Sequence, residues 1–313
     1  MKSHRHLLAV AGLLLGSSAV YAHRVWVLPS MTVLSGTDQW VSFEAAVSNN
    51  LFFPNHRPVS IESIEVRGPD GAPVQIENAV GGQVRSSFEL HLEKQGTYVI
   101  SLKPSTGRRP SGGSAPAAMA QKAGGPPAGG QKGAPGGGSP KMGFGGEGSL
   151  FGSYEEDGKV QRWRGTPESL IAEGVAKKPG FKLRETGGRR VVTFVTCGKP
   201  STEVLKPEGK GVEIDFLTHP NDLFVGEAAK FRLLVDGKPA LNAEVTVVKG
   251  DDRYRDEAGD INLRTDANGV VEVKWPETGR YWFEATASSP GTLHGVPSEK
   301  SFTYIATFEV LPN

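Results

Sequence analysis

The feature that most constrains the fold is a two-residue alternation of apolar and polar side chains. It is clearest where Phe88, Leu90 and Leu92 alternate with charged residues and a histidine. Successive side chains of a β-strand point to opposite faces, so this pattern indicates a strand with one buried face. Similar runs recur at short intervals along the chain, separated by Gly, Pro and Asp, and this arrangement predicts an antiparallel β-sandwich.

The sequence predicts many strands and only one short helix, so we expect an all-β protein. The strand-like runs fall into two groups. The protein should contain two immunoglobulin-like or transthyretin-like antiparallel β-sandwich domains and a long disordered Gly/Pro-rich insertion. The expected segments are a signal peptide (1–22), an N-terminal sandwich (23–104), the insertion (105–149), a connecting segment that completes the N-terminal domain (150–211) and a C-terminal sandwich (212–313).

The insertion is defined by its composition. Residues 105–149 contain 15 of the 41 glycines and 6 of the 22 prolines, with Glu147 as their single acid. Such a segment buries too little apolar surface to offset the entropy lost on ordering. We therefore expect a disordered loop or linker there, either between domains or inside one.

The first 22 residues resemble a secretory signal peptide. Basic residues Lys2 and Arg5 precede a short apolar stretch, and Val20 and Ala22 occupy the −3 and −1 positions of a cleavage site. Cleavage after Ala19 is an alternative. No apolar run reaches the roughly 18 residues that a membrane-spanning helix needs, which excludes a polytopic membrane protein. The signal peptide therefore predicts export from the cytoplasm.

Cleavage after Ala22 would make His23 the new N-terminus. An N-terminal histidine offers its α-amine and its imidazole to one metal ion as a chelate. Nitrogen ligands of this kind suit Cu(II), Ni(II), Co(II) and Zn(II). The alternative is that His23 is simply the residue that follows the cut.

Two further local predictions concern the middle of the chain. Thr166 and Pro167 fit the N-cap and the first position of a short helix. Cys197 ends an apolar run and is expected to be a buried small hydrophobe. It is the single cysteine, which excludes an intrachain disulfide framework. The net charge of +1 argues against a dedicated nucleic-acid-binding protein.

The other histidines follow no strong metal-binding spacing such as H-E-x-x-H. His56 lies in a proline-bounded loop and His219 precedes Pro220, so both are candidates, although each could instead make a loop-fixing hydrogen bond. His91 is expected to be solvated and His294 to lie in a loop. The predicted metal ligands are therefore His23, His56 and His219, for a transition metal such as Ni, Co, Cu or Fe.

No catalytic residues are predicted, because the chain lacks a nucleophile elbow, a phosphate loop and a dinucleotide-binding motif. A charged stretch from Asp251 to Asp260 is expected to be a solvated hairpin end, since it lacks the ordered spacing of a calcium-binding loop. We therefore expect a protein that is not an enzyme.

The last third of the chain resembles transthyretin-like or carboxypeptidase-regulatory-like β-sandwiches. The resemblance is carried by Asp236-Gly237-Lys238-Pro239, by Thr265-Asp266-Ala267-Asn268-Gly269 and by Pro276 to Tyr281. Domains of this kind are mostly structural or adhesive modules, so the resemblance implies a fold and not an activity.

Nearly all of the chain after the signal peptide resembles a Gram-negative periplasmic family. The residues that carry this resemblance are Ala22 to Ser30, Asn55-His56-Arg57-Pro58, Gly96-Thr97-Tyr98, His219 to Leu223 with Val225-Gly226-Glu227, and Tyr304 to Pro312. The family carries a domain-of-unknown-function name or the label of periplasmic component of a cobalt/nickel transport system. The resemblance implies metal assimilation beside an inner-membrane transporter or reductase, or beside a TonB-dependent receptor.

Three functions follow as hypotheses. The first is a periplasmic metal-binding accessory protein that uses His23 with His56 or His219. The second is a non-catalytic structural or interaction module that bridges partners of a TonB-dependent iron or metal assimilation system. The third is a copper oxidase with an N-terminal histidine brace, which needs a second histidine close by and a flat aromatic surface. A histidine ring within about 5 Å of His23 would favour a metal site.

Overall fold

The computed structural model describes residues 23–103, 150–250 and 259–313. The predicted signal peptide, the predicted disordered insertion and most of the charged stretch after Gly250 lie outside the described residues. Nearly all of the regular structure is β, which confirms the predicted fold class. No helix among the described residues is long and apolar enough to cross a bilayer.

Strands of the first described range form much of the N-terminal half. They are β1 (Arg24–Pro29), β2 (Val33–Leu34), β3 (Gln39–Ser48), β4 (Arg57–Pro58), β5 (Ile64–Arg67), β6 (Glu77–Gly81), β7 (Ser86–Leu92) and β8 (Gly96–Leu102).

The middle of the chain adds a hairpin, one helix and a long strand. They are β9 (Leu150–Glu156), β10 (Lys159–Gly165), α1 (Pro167–Ala172) and β11 (Lys182–Cys197). As predicted, Thr166 caps α1, because its side chain accepts a hydrogen bond from the Ser169 amide. Short 3₁₀ turns occur at Ile61–Ser63, Val175–Lys177 and Glu203–Leu205.

The C-terminal half contains the remaining eight strands. They are β12 (Val212–Phe216), β13 (Ala228–Val235), β14 (Lys238–Pro239), β15 (Glu244–Lys249), β16 (Ile261–Arg264), β17 (Val270–Lys274), β18 (Gly279–Leu293) and β19 (Val296–Val310). The predicted turn between β13 and β14 is present, and Asp236 and Gly237 both have positive φ there, at 48° and 73°.

The strands form three sheets in which the largest one is shared. A ten-stranded sheet runs β10-β9-β11-β19-β18-β15-β16. At the other end of β11, β8 and β5 continue this sheet and β2 also pairs with β11. A five-stranded sheet (β1, β3, β4, β6, β7) and a four-stranded sheet (β12, β13, β14, β17) provide the other two layers.

Alternate residues of β11 enter two different hydrophobic cores. Val191 and Val195 pack in the core that contains Trp26 of β1, whereas Val192 and Phe194 pack in the core that contains Phe231 of β13. Because neighbouring side chains of a strand point to opposite faces, the ten-stranded sheet is the common middle layer of both sandwiches. The two sandwiches are therefore joined through a sheet that they share, with β11 and β19 paired in parallel at its centre.

A shared middle sheet predicts that the two sandwiches unfold together. Phe231 is fully buried in the C-terminal core, so Phe231→Ala should cost about 3–5 kcal/mol of unfolding free energy. Native-state hydrogen exchange read by mass spectrometry should then show protection falling in peptides of both β3 and β13. Ile171→Ala is the control, since Ile171 is 82% exposed. Loss of protection confined to the four-stranded sheet would contradict the shared-sheet description.

Candidate metal centre

His23 and His56 meet at one end of the N-terminal sandwich. His23 immediately precedes β1 and His56 immediately precedes β4, and both strands pair with the end of β3: Arg24 lies opposite Ser48 and Arg57 opposite Val47. The two imidazole rings consequently lie against each other in a tilted arrangement, with centroids 4.0 Å apart and planes inclined by 30°. Both residues are exposed to solvent.

The loop that carries His56 is fixed by asparagine hydrogen bonds. The side-chain oxygen of Asn55 accepts from the Asn49 amide at 2.9 Å, and its side-chain nitrogen donates to the Asn50 side-chain oxygen at 2.8 Å. The Phe53 amide donates to the Asn50 carbonyl at 3.2 Å and closes the turn. His56 is therefore presented from a loop whose two ends are tied together.

The same loop is anchored to the core through Trp26 of β1. The indole of Trp26 donates to the Ser48 hydroxyl at 2.8 Å, and that hydroxyl donates to the Asn50 carbonyl at 2.6 Å. Phe52 has a φ of 57° and places its ring edge-on to Trp26, with centroids 5.7 Å apart. Since Trp26 and Ser48 are fully buried, this chain of contacts ties the loop to the strand that begins beside His23.

The start of β1 is held against the middle sheet. Trp282 of β18 donates from its indole to the Val25 carbonyl at 3.1 Å. The Arg24 guanidinium lies 5.2 Å from the centroid of the Trp282 ring and 3.7 Å from the Asp260 carboxylate. The residue next to His23 is thus held by contacts with β18 and with Asp260.

The surroundings of His56 favour its neutral form. Its pKa lies below its usual value, chiefly because of desolvation and further because of Coulombic interactions with His23 and Arg57. A neutral imidazole is the form that ligates metals. The site therefore keeps a free nitrogen donor at pH values where an isolated histidine would begin to bind a proton.

The two rings lie nearly as far apart as two imidazoles that bind one metal ion. Imidazoles bound to one metal at nitrogen–metal distances of about 2.0–2.1 Å have centroids about 5 Å apart. The rings of His23 and His56 lie about 1 Å closer than that. Both lie on the surface, so their side chains can turn outward without moving the β-sheet.

His219 is placed elsewhere and uses both of its ring nitrogens. Nδ1 accepts a hydrogen bond from the Asn221 amide at 3.2 Å, so the proton is on Nε2. Nε2 lies 3.0 Å from the Thr97 hydroxyl and 3.3 Å from the Ser201 carbonyl, and burial lowers the pKa of the ring. Within the described ranges, no group of three or more His, Cys, Asp or Glu residues is arranged to hold a metal ion. The structure thus brings together two of the three predicted ligands.

The remaining predictions have mixed outcomes. Cys197 is buried and its thiol donates to the Gly36 carbonyl at 3.2 Å, as expected for a structural cysteine. His91 is more engaged than a solvated residue, because its Nε2 lies 2.5 Å from Asp38 and its ring stacks on Trp40 at 4.6 Å. His294 lies in the tight turn between β18 and β19, with a φ of 50°.

Sequence reasoning did not identify Asn55 as the residue that positions His56. A signal was present, since asparagine next to a proline commonly caps or closes a turn through its side chain. Its partners at positions 49 and 50 could not be assigned, because they depend on how the loop closes on β3.

The buried His219 predicts a pH-dependent stability. Its folded-state pKa lies below the ordinary value of 6.5, so the unfolded chain binds the proton more readily. The contribution of His219 to the free energy of unfolding is then fully present above about pH 6.5. It is lost as the pH drops through that value towards the folded-state pKa. His219→Gln should remove much of this slope and cost about 1–2 kcal/mol at pH 7.5 through lost hydrogen bonds.

Urea unfolding at half-unit pH steps measures this effect. The matched control is His294→Asn, which keeps a residue suited to positive φ in an exposed turn. A wild-type pH slope in His219→Gln would show that another group carries the dependence.

Comparisons with known proteins provide a family and little more. No curated protein matches this chain. Among solved structures, the D0-D1 domain of intimin matches at 11% identity and a TM-score of 0.19, over 90% of this chain and 96% of that one. An ICAM-5 D1-D4 ectodomain fragment matches at 10% identity and a TM-score of 0.18, over 92% of this chain and 51% of that one. A DUF4785 family protein from Legionella pneumophila subsp. pneumophila matches at 6% identity and a TM-score of 0.21, over 83% of this chain and 50% of that one.

Such low TM-scores support no structural argument. The family model described as domain of unknown function DUF4198, in contrast, matches residues 20–289, which is most of the chain. This protein therefore belongs to the DUF4198 family.

Proposed function

We propose that this protein is a periplasmic metal-binding accessory protein of a transition-metal uptake system. The observation that supports the proposal is the close pair of exposed imidazoles, His23 and His56, with centroids 4.0 Å apart. The site would form once a signal peptide is removed after Ala22, because cleavage frees the α-amine of His23. The two histidines form no local metal-binding motif, because 33 positions separate them in the sequence. Only the fold brings them together.

The proposed ligand set contains three nitrogens. The His23 α-amine and imidazole would chelate the ion, and the His56 imidazole would complete the set. Nitrogen donors favour late divalent metals in the order Co, Ni, Cu, with Zn below Cu, so affinity alone does not select the ion that the cell supplies. Ni, Co, Cu and Fe therefore remain the proposed cargo. A three-ligand site on an exposed surface leaves a coordination position through which a partner can take the metal.

The electrostatics of the pair suit release as well as binding. The lowered pKa of His56 means that a metal ion competes less with a proton for that ring than it would at an isolated histidine. Once a cation is bound, nearby Arg57 destabilises it by charge repulsion. A site of this kind would hold its ion less tightly than a buried cage, as expected of an accessory protein that passes metal on.

The proposed partners are an inner-membrane metal transporter or reductase, or a TonB-dependent receptor system. The support for them is the resemblance to a family that carries the cobalt/nickel transport label, together with the predicted export to the periplasm. An alternative function is a non-catalytic module that bridges partners of such a system. The support for it is the resemblance of the last third of the chain to β-sandwich domains that are mostly structural or adhesive modules.

Calorimetric titration tests the metal proposal. Protein purified from the periplasm, with its first residue verified by mass spectrometry, should bind Ni(II) and Cu(II) at one site. One extra Ala before His23 should weaken binding about 100-fold or more, because the α-amine is moved out of the chelate. His56→Ala should weaken it about 10-fold or more through loss of one nitrogen, a cost comparable to or greater than that of losing an outer-shell partner.

Two controls make the titration specific. His294→Asn removes an exposed imidazole from a different part of the fold and should leave the affinity unchanged. Asn55→Ala keeps every ligand but releases the loop, so it should weaken binding less than His56→Ala. Equal affinity in the wild-type, Ala-extended and His56→Ala proteins would rule out this site and favour the bridging function.

A further inference from the structure

The outer face of the β10-β9-β11 sheet carries an array of cations around a phenylalanine. The register places Phe151 of β9 between Arg164 of β10 and Arg184 of β11, in one row across the three strands. The next row on the same face has Ser153 between two further cations, Arg162 of β10 and Lys182 of β11. Four positive side chains therefore flank Phe151 and Ser153 on three adjacent strands.

The opposite face of this sheet is buried, and this fixes the array outward. Trp163 and Leu183 on that face are 8% and 0% exposed and pack with Leu170 of α1. Gly152 lies between them in the register, and a Cβ there would come within 3.1 Å of the Phe181 ring. Because neighbouring side chains alternate, the phenylalanine and the four cations must point to the solvent side.

The array is exposed to solvent. Phe151 is 48% exposed, and the Arg164 guanidinium lies 5.4 Å from the centre of its ring. Arg162, Lys182 and Arg184 are exposed and make no ion pair with any residue in the described part of the chain. The nearest acids in the register are Glu299, across from Arg184, and Glu155, across from Val160 in the third row.

We propose that this face binds the surface of an anionic phospholipid bilayer. The four cations and the phenylalanine are spread over two adjacent rows of three strands, so this face suits an extended anionic surface better than a small molecule. Basic side chains are attracted to anionic headgroups, and an exposed aromatic ring among them can enter the headgroup–acyl boundary. The inference does not depend on the metal site, which lies at the end of β3.

Vesicle co-sedimentation tests the proposal on the protein purified from the periplasm. Binding should be much stronger to vesicles containing one quarter phosphatidylglycerol than to pure phosphatidylcholine, and should fall as salt rises from about 50 to 500 mM. Each lost cation should weaken partitioning about fivefold. The double variant Arg162→Gln/Lys182→Gln should therefore bind about 25-fold more weakly.

The control removes the same charge from another surface. Lys238→Gln/Lys274→Gln changes two exposed lysines of the C-terminal sandwich and should leave binding close to wild type. Phe151→Ser should reduce the binding that remains at high salt. Equal losses in the two double variants would show a net-charge effect and overturn the proposal. Binding to soluble heparin without binding to the anionic vesicles would overturn it in favour of a polyanionic polymer.

Discussion

The arrangement of the whole protein depends on the backbone pairing of β11. This 16-residue strand hydrogen-bonds to β9 and β8 along one edge and to β19 along the other. Its side chains alternate between the two large cores, so one strand contributes to both sandwiches. The strong burial of its last seven residues, Val191–Cys197, is the physical result of having a packed layer on each face.

The candidate metal centre depends on the N-terminal layer being fixed to this middle sheet. Trp282 reaches from β18 to the backbone of β1, and Trp26 connects β1 to the loop that carries His56. Two exposed histidines are therefore attached to backbone segments that buried hydrogen bonds hold in place. That combination suits a metal site, because the ligands are placed near one another while their rings can adapt to the ion.

Much of the fold could be predicted from local sequence patterns. The alternation at Phe88–Leu92, the capping signal at Thr166 and the turn at Asp236-Gly237 each act within a few residues, so their outcomes follow from propensity and periodicity. The parallel pairing of β11 with β19 could not be predicted, because it joins residues more than one hundred positions apart and has no local signature. For the same reason the contact between His23 and His56 depended on the fold, and so did the burial of His219 among Thr97, Ser201 and Asn221.

The central functional claim is that the His23 α-amine and the His23 and His56 imidazoles bind one metal ion. Electron paramagnetic resonance of the protein purified from the periplasm and loaded with one equivalent of Cu(II) tests it most directly. The account predicts hyperfine coupling to three nitrogens, and to two when His56 is replaced by alanine. A spectrum of unbound or oxygen-ligated copper, or a nitrogen count that His56→Ala leaves unchanged, would contradict it.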